Sequence, residues 1–151
     1  MRAAYAPLVG PRNAWYRYGL ARCFVNDKAW DKAEEHMVAA LSLDPNMAYA
    51  NGYLAVIVSK KKTAAARNRA LSHLQKAIGL DSSVDEFYFW QGQLLEVQKS
   101  FHQARLAFKR AADLQPFNLT YKLGYARNLR RGGDAAGAAT YLEDEVRAEN
   151  I

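Results

Sequence analysis

Three stretches of the chain end alike: AALSLDPN at 39–46, KAIGLDSS at 76–83 and RAADLQPF at 110–117. An alanine stands at a fixed place before each ending, as Ala33, Ala70 and Ala104, and Ala138 follows at the same step as separates the last two. That step is a period of about 34 residues, within the range that marks a repeat architecture. Units of this size are too small to bury their own apolar face and therefore stack on neighbours. The step from Ala33 to Ala70 is longer, and is read as one period plus an insertion at Lys60-Lys61-Lys62.

Within each period the apolar residues recur at helical spacing, as in Tyr16, Leu20, Cys23, Phe24 and then Ala33, Met37, Ala40, Leu41. The pattern predicts first helices over 13–26, 47–59, 84–97 and 118–131 and second helices over 29–42, 64–79, 101–114 and 135–149. Asp44-Pro45-Asn46 and Gln115-Pro116 stop helices, because proline disfavours helix at the residue before it. Arg131-Gly132-Gly133-Asp134 supplies permissive backbone and a capping carboxylate. Asn26-Asp27-Lys28 and Lys99-Ser100 mark the other tight turns.

The first helices carry a large–small–large pattern: Leu20-Ala21…Phe24, Leu54-Ala55…Val58, Gln91-Gly92…Leu95 and Tyr125-Ala126…Leu129. The second helices carry Ala33/Met37/Ala40, Ala70/Leu74/Ala77 and Ala104/Phe108/Ala111, whereas Ala138 and Leu142 are followed by Glu145. These residues resemble the tetratricopeptide repeat (TPR) family over about 13–150, with Ser82 where a closing proline stands as Pro45 and Pro116 in other units. The resemblance implies an all-α, right-handed α-solenoid of about four helix–turn–helix repeats: 13–46, 47–83 with a basic loop insertion, 84–117 and 118–151. Pro11 lies one period before Pro45, so 1–12 is read as a partial preceding repeat or an N-terminal tail. Physically, Ala21, Ala55, Gly92 and Ala126 let paired helices approach, and Ala33, Ala70, Ala104 and Ala138 leave slots for large side chains. Over-filling such a slot costs about 1–3 kcal/mol.

Global counts narrow the function. Of 151 residues 50% are hydrophobic and 24% charged, a globular composition. Cys23 is the only cysteine, so no intrachain disulfide forms, and it is read as a small core residue. The longest apolar run, 53–58, is too short to span a bilayer, and MRAAYAPLVGPRNAW has no proper signal core; the compartment stays open, with the cytoplasm favoured. The chain has no HExxH, no CxxC and no phosphate loop after a strand; GGDAAGAA at 132–139 fits a helix junction. His36 and His73 occupy the same place in successive second helices and His102 starts another, so the three are read as surface or partly packed rather than as converging ligands, and Glu34-Glu35 and 143–145 read as solvated charges. The expectation is a non-enzyme with no cofactor, no metal and no small-molecule substrate.

In the TPR family the first helices line a concave face, and the resemblance carries that face onto particular residues. These are Trp15, Tyr18, Arg22, Val25 and Asn26, then Tyr49, Tyr53, Val56 and Lys60. Glu86, Phe89, Trp90, Gln93 and Val97 follow, then Thr120, Leu123, Arg127, Arg130 and Arg131. Of these, Trp15, Tyr18, Arg22, Tyr49, Tyr53, Phe89, Trp90, Gln93, Arg127, Arg130 and Arg131 are the expected partner-binding residues. Aromatic side chains and Arg dominate binding hot spots. The expected partner is another protein, presenting a segment with apolar anchors and acidic residues. Tyr16, Phe87 and Tyr121 are expected to pack between units instead. Chaperone-binding members grip a C-terminal carboxylate with Lys, Asn and Arg; the matching positions here are Tyr18, Arg22, Tyr53, Glu86 and Trp90, which argues against that mode.

The net charge of +6 concentrates in Lys60-Lys61-Lys62 with Arg67 and Arg69, and in Lys122, Arg127, Arg130 and Arg131. Solvated faces or an acidic docking segment account for both before nucleic acid or anionic lipid does. Helical-repeat RNA readers need a regular side-chain code, whereas equivalent positions here read Arg22, Val56, Gln93 and Arg127. Self-assembly through uncapped repeat ends, giving a homo-oligomer, is the remaining alternative.

Overall fold

The computed structural model describes residues 12–149. The expectation for 1–12 therefore lies, apart from Arg12, outside the described residues. Eight helices occur among the described residues. They are α1 (Ala14–Asn26), α2 (Trp30–Leu43), α3 (Ala48–Ser59), α4 (Ala64–Leu80), α5 (Asp85–Val97), α6 (Phe101–Leu114), α7 (Leu119–Arg131) and α8 (Ala135–Glu149). Their bounds fall within one residue of the predicted ones, because the prolines, Asx residues and glycines that end the periodicity also end the helices.

Local chemistry sets several starts. Asn13 Oδ1 accepts from the Tyr16 N–H at 3.0 Å, Thr63 Oγ1 from Ala66 at 3.1 Å, Asn118 Oδ1 from Tyr121 at 3.3 Å and Asp134 Oδ1 from Gly137 at 2.8 Å. Such caps satisfy orphan helix donors and contribute about 1 kcal/mol each. At the starts of α3 and α5 there is no side-chain cap; Met47 and Val84 are buried there instead.

Each turn inside a repeat contains one residue with left-handed backbone: Lys28 (φ 56°), Lys62 (φ 56°), Lys99 (φ 61°) and Gly133 (φ 99°). Lys28 to Lys62 is one plain period, Lys62 to Lys99 is the longer step, and Lys99 to Gly133 is plain again. This corrects the insertion expected at Lys60-Lys61-Lys62 in repeat 2. The turn at Lys62 is in register with that at Lys28, and the surplus falls after it. It lengthens α4 to 17 residues where α2 and α6 have 14. Ala64, Ala65 and Ala66 are strong helix formers behind a Thr63 cap, so the surplus enters as one additional helical turn rather than as loop.

The described residues divide into two compact units, the first ending at Ser82 and the second beginning at Ser83. In the first, α1 packs on α2, α2 on α3 and α3 on α4 around Ala21, Ala33, Met37, Ala40, Leu54, Ile57 and Val58. In the second, α5 packs on α6, α6 on α7 and α7 on α8. Phe108 is fully buried there, between two glycines. A Cβ at Gly92 would stand 3.0 Å from the ring, and one at Gly124 only 2.5 Å. The alanine slots Ala33, Ala70 and Ala104 are fully buried, as the spacing predicts.

Two core expectations fail, both on α1. Cys23 is exposed, and Tyr16 is 38% exposed although its repeat equivalents Phe87 and Tyr121 are buried. The stripe they share corresponds to the side of α7 that packs on α6, and no described helix precedes α1.

Candidate functional site

In the first unit Trp15, Tyr18 and Arg22 follow one another at spacings of three and four on α1, which places them on a single helical stripe. Tyr49 and Tyr53, four apart, make the matching stripe on α3. The Trp15 ring lies edge-on to Tyr18 at 5.7 Å, and Tyr18 to Tyr53 at 6.2 Å. Arg22 donates to the Tyr18 hydroxyl at 3.0 Å, and its guanidinium carbon is 4.2 Å from the Tyr53 centroid and 5.8 Å from that of Tyr18. Trp15 is 66% and Tyr49 42% exposed, while Tyr18, Tyr53 and Arg22 are half-buried. The result is one contiguous aromatic surface with a cation fixed upon it. Each cation–π contact of this sort contributes about 0.5–1 kcal/mol.

The second unit is organised differently. Phe89 and Trp90 are half-buried rather than openly displayed: Phe89 packs 5.1 Å from Tyr121 and 5.9 Å from Phe108, and Trp90 lies 6.1 Å from Phe87. Gln93 is exposed. Two of the expected partner-binding arginines are held inside the unit by Glu96, which sequence reading passes over. Arg127 Nε donates to both Glu96 oxygens at 3.0 and 3.2 Å, and its Nη2 to Oε2 at 2.9 Å. Arg131 Nη1 donates at 2.8 Å and Asn128 Nδ2 at 2.6 Å. Burial pushes the Glu96 carboxyl upward, but the hydrogen bonds from Arg127 and Asn128 and the charges of Arg127 and Arg131 outweigh it and hold it below the usual glutamate range. Lys122 pairs with Glu145. Arg130 is exposed, and among the described residues it has no ion-pair partner.

One signal could have found Glu96. It precedes Arg127 by 31 positions and Arg131 by 35, close to one repeat, which places an acid and two bases at corresponding heights of successive first helices. Asn128, fully buried, donates also to the Gly124 carbonyl at 2.8 Å, while its Oδ1 has no hydrogen-bond partner among the described residues. Nearby, the Tyr121 hydroxyl donates to Asp85 at 2.5 Å; desolvation and that carboxylate push its pKa well up. Burial and then the Glu145 charge raise Tyr141 to about 12.

The other basic cluster is partly neutralised as well. Glu34 receives Lys61 at 3.0 Å and Arg69 at 3.5 Å, Arg67 donates to the Lys62 carbonyl at 3.1 Å, and Lys60 stands 5.1 Å over Trp30. Several of these groups border an open cleft of about 440 Å³. His36 stacks on Phe24 at 5.3 Å and contacts Arg17 at 3.0 Å; desolvation and then Arg69 lower the pKa of His73. Among the described residues no three His, Cys, Asp or Glu side chains gather as a metal site requires, and no helix is long and apolar enough to cross a membrane.

Consecutive helix–turn–helix pairs with buried alanine slots define a TPR-type fold. Known structures bear this out. A crystal structure of MamA aligns with 93% of this chain and 75% of its own at 18% identity and a TM-score of 0.83. MamA 41-end from Desulfovibrio magneticus RS-1 aligns with 92% of this chain and 77% of its own at 19% identity and a TM-score of 0.80. The first TPR of Spaghetti (RPAP3), bound to the HSP90 peptide SRMEEVD, aligns with 78% of this chain and 90% of its own at 16% identity and a TM-score of 0.73. No family model matches the sequence, and no curated protein does. At these identities the likeness is one of fold: the chain is an all-α, TPR-type helical repeat protein.

Proposed function

We propose that the chain is a non-catalytic protein-interaction scaffold that grips a partner segment on the faces of its first helices. The observation that carries this reading is the Trp15–Tyr18–Arg22–Tyr53 surface of the first unit. Its rings are ordered by one another and Arg22 is pre-oriented, so little side-chain freedom is lost on binding. An apolar or aromatic anchor beside a carboxylate is the chemistry such a surface selects. The peptide-bound neighbour of the same fold carries the acidic peptide SRMEEVD, which supports the choice of an acidic segment. In the second unit, taken by itself, the corresponding residues are Gln93 and Trp90, with Arg130 as an exposed cation. Arg127 and Arg131 serve Glu96 first.

The nucleic-acid and lipid alternative loses ground on the same contacts, since Glu34, Glu96 and Glu145 each take up cations from the two basic clusters. A display library of short peptides panned on the protein tests the reading. Selected peptides are expected to share an apolar anchor flanked by Asp or Glu, and Trp15→Ala with Arg22→Ala to weaken them by at least tenfold while helicity is kept. Undiminished affinity would remove the site from the first unit.

A further inference from the structure

The cleft of about 440 Å³ in the first unit is bordered by Lys28, Lys32, Lys60 and Lys61, together with Trp30 and Ile57. It opens between the start of α2 and the end of α3, and neither the first nor the last described helix borders it. Among the described residues Lys28, Lys32 and Lys60 have no ion-pair partner, while Lys61 shares Glu34 with Arg69. The second unit shows what is missing. There Arg131, two residues before left-handed Gly133, is taken by Glu96, three residues before left-handed Lys99. Counted from the left-handed turns of the first unit, the place of Arg131 is held by Lys60 and that of Glu96 by Val25. The first unit keeps the cation and lacks the acid, because Val25 is spent on packing against the core.

The aromatic stripe of α3 leads to this cleft. Lys60 keeps helical backbone (φ −66°, ψ −17°) and stands seven positions after Tyr53, two turns further along the same face. That is a rise of about 10 Å, the reach of about three extended residues. We infer that the cleft supplies the lysines for an acidic run of a partner protein's segment, lying about three residues from that segment's apolar anchor. The inference rests on the reading of the Trp15–Tyr18–Arg22–Tyr53 surface as the place of the anchor. The walls select a peptide over a phosphate polymer. Asp31 and Glu34 also border the cleft and repel an unbroken row of phosphates. A peptide brings backbone N–H donors for those two carboxylates and its own carboxylates for the lysines. Ammonium groups on flexible stems accept such carboxylates without demanding one fixed geometry.

The test uses the full chain and two labelled peptides, EEESSWSSEEE and QQQSSWSSQQQ, whose runs flank the anchor on both sides and so serve either chain direction. Fluorescence anisotropy at low salt is expected to show the glutamate peptide binding about tenfold more tightly, as two or three partly exposed ion pairs provide. Lys28→Gly combined with Lys60→Gln should erase most of that advantage and leave the glutamine peptide unaffected. Both lysines are exposed, and glycine suits the left-handed turn at Lys28, so folding is spared. Trp15→Ala should weaken both peptides alike. A glutamate peptide that binds no better than the glutamine one overturns the inference, as does an advantage that survives in the lysine variant. Displacement of the glutamate peptide by single-stranded DNA or phosphatidylserine vesicles, at lower anion concentration than by the unlabelled peptide, also overturns it. If Trp15→Ala changes neither peptide while the lysine effect persists, the cleft stands and the reading of the aromatic surface falls.

Discussion

Arg22 and Arg127 occupy the same position of the first and fourth repeats, three periods apart, and do different work. Arg22 lies on the rings of Tyr18 and Tyr53 at a half-exposed surface, whereas Arg127 is clamped by both oxygens of Glu96. Gly19 and Gly124 are a second such pair. Among the described residues a side chain at Gly19 would meet nothing within 4 Å, whereas one at Gly124 would strike the Phe108 ring. Equivalent positions in a repeat share backbone geometry, but each role is set by what the neighbouring helix presents. In the first unit the neighbour offers aromatic rings and leaves Arg22 half-exposed; in the second it offers a carboxylate and a phenyl ring and spends the same residues on cohesion.

The largest break in this contrast should come from Glu96→Ala. It strands Arg127 and leaves buried Asn128 short of one acceptor, so a loss of about 2–3 kcal/mol is expected in urea denaturation, below the value for a fully buried pair because the arginines keep solvent contact. A loss under about 0.5 kcal/mol, the scatter of ordinary surface substitutions, would mean the network is ornamental. Gly124→Ala is next. The clash with Phe108 outweighs the helix propensity gained, for a net loss of about 1–2 kcal/mol. Phe108→Leu in the same chain should recover part of that loss, and if the two substitutions simply add, the ring is not the obstacle.

An acid titration sharpens the electrostatic side. Because the folded Glu96 pKa is depressed, its contribution is fully present above the unfolded glutamate pKa and disappears as pH falls through the folded one. The stability gap between the wild-type chain and Glu96→Gln should therefore narrow steadily below about pH 4.5. A gap constant down to strongly acidic pH would place the stabilisation elsewhere. The smallest effects carry the opposite sign. Gly19→Ala in open space should stabilise by about 0.5–1 kcal/mol, in direct contrast to Gly124→Ala. Lys28→Gly should gain a few tenths of a kcal/mol at its left-handed turn, since relief of a strain of about 1 kcal/mol is partly offset by the flexibility of unfolded glycine. Thermal melts of the two variants resolve both signs.

Much of the architecture was legible because its signals are local or periodic. Prolines, Asx caps and apolar spacing placed every described helix to within a residue, and the alanine ladder gave the repeat. The insertion was misplaced because Lys60-Lys61-Lys62 looks like loop, while the surplus Ala64–Ala66 continues a helix; only the register of left-handed residues, Lys28 against Lys62, separates these readings. Cys23 and Tyr16 were read as core because periodicity reveals which stripe is apolar, not whether anything lies against it. The candidate docking residues were legible as types and positions. Which of them are committed elsewhere was not, since Arg22 and Arg127 are the same residue at the same height of the repeat.

The sequence by itself determined the helix–turn–helix period, the helix bounds and the identity of the small-residue slots. All of these follow from backbone propensity and from apolar spacing acting along one chain segment. Only the tertiary structure decided that Arg127 and Arg131 belong to Glu96, that Phe108 requires Gly124, and that Arg130 stays exposed. Those outcomes depend on which side chain a helix one repeat away brings into hydrogen-bonding or van der Waals contact, a short-range matter of shape and charge that periodicity does not encode.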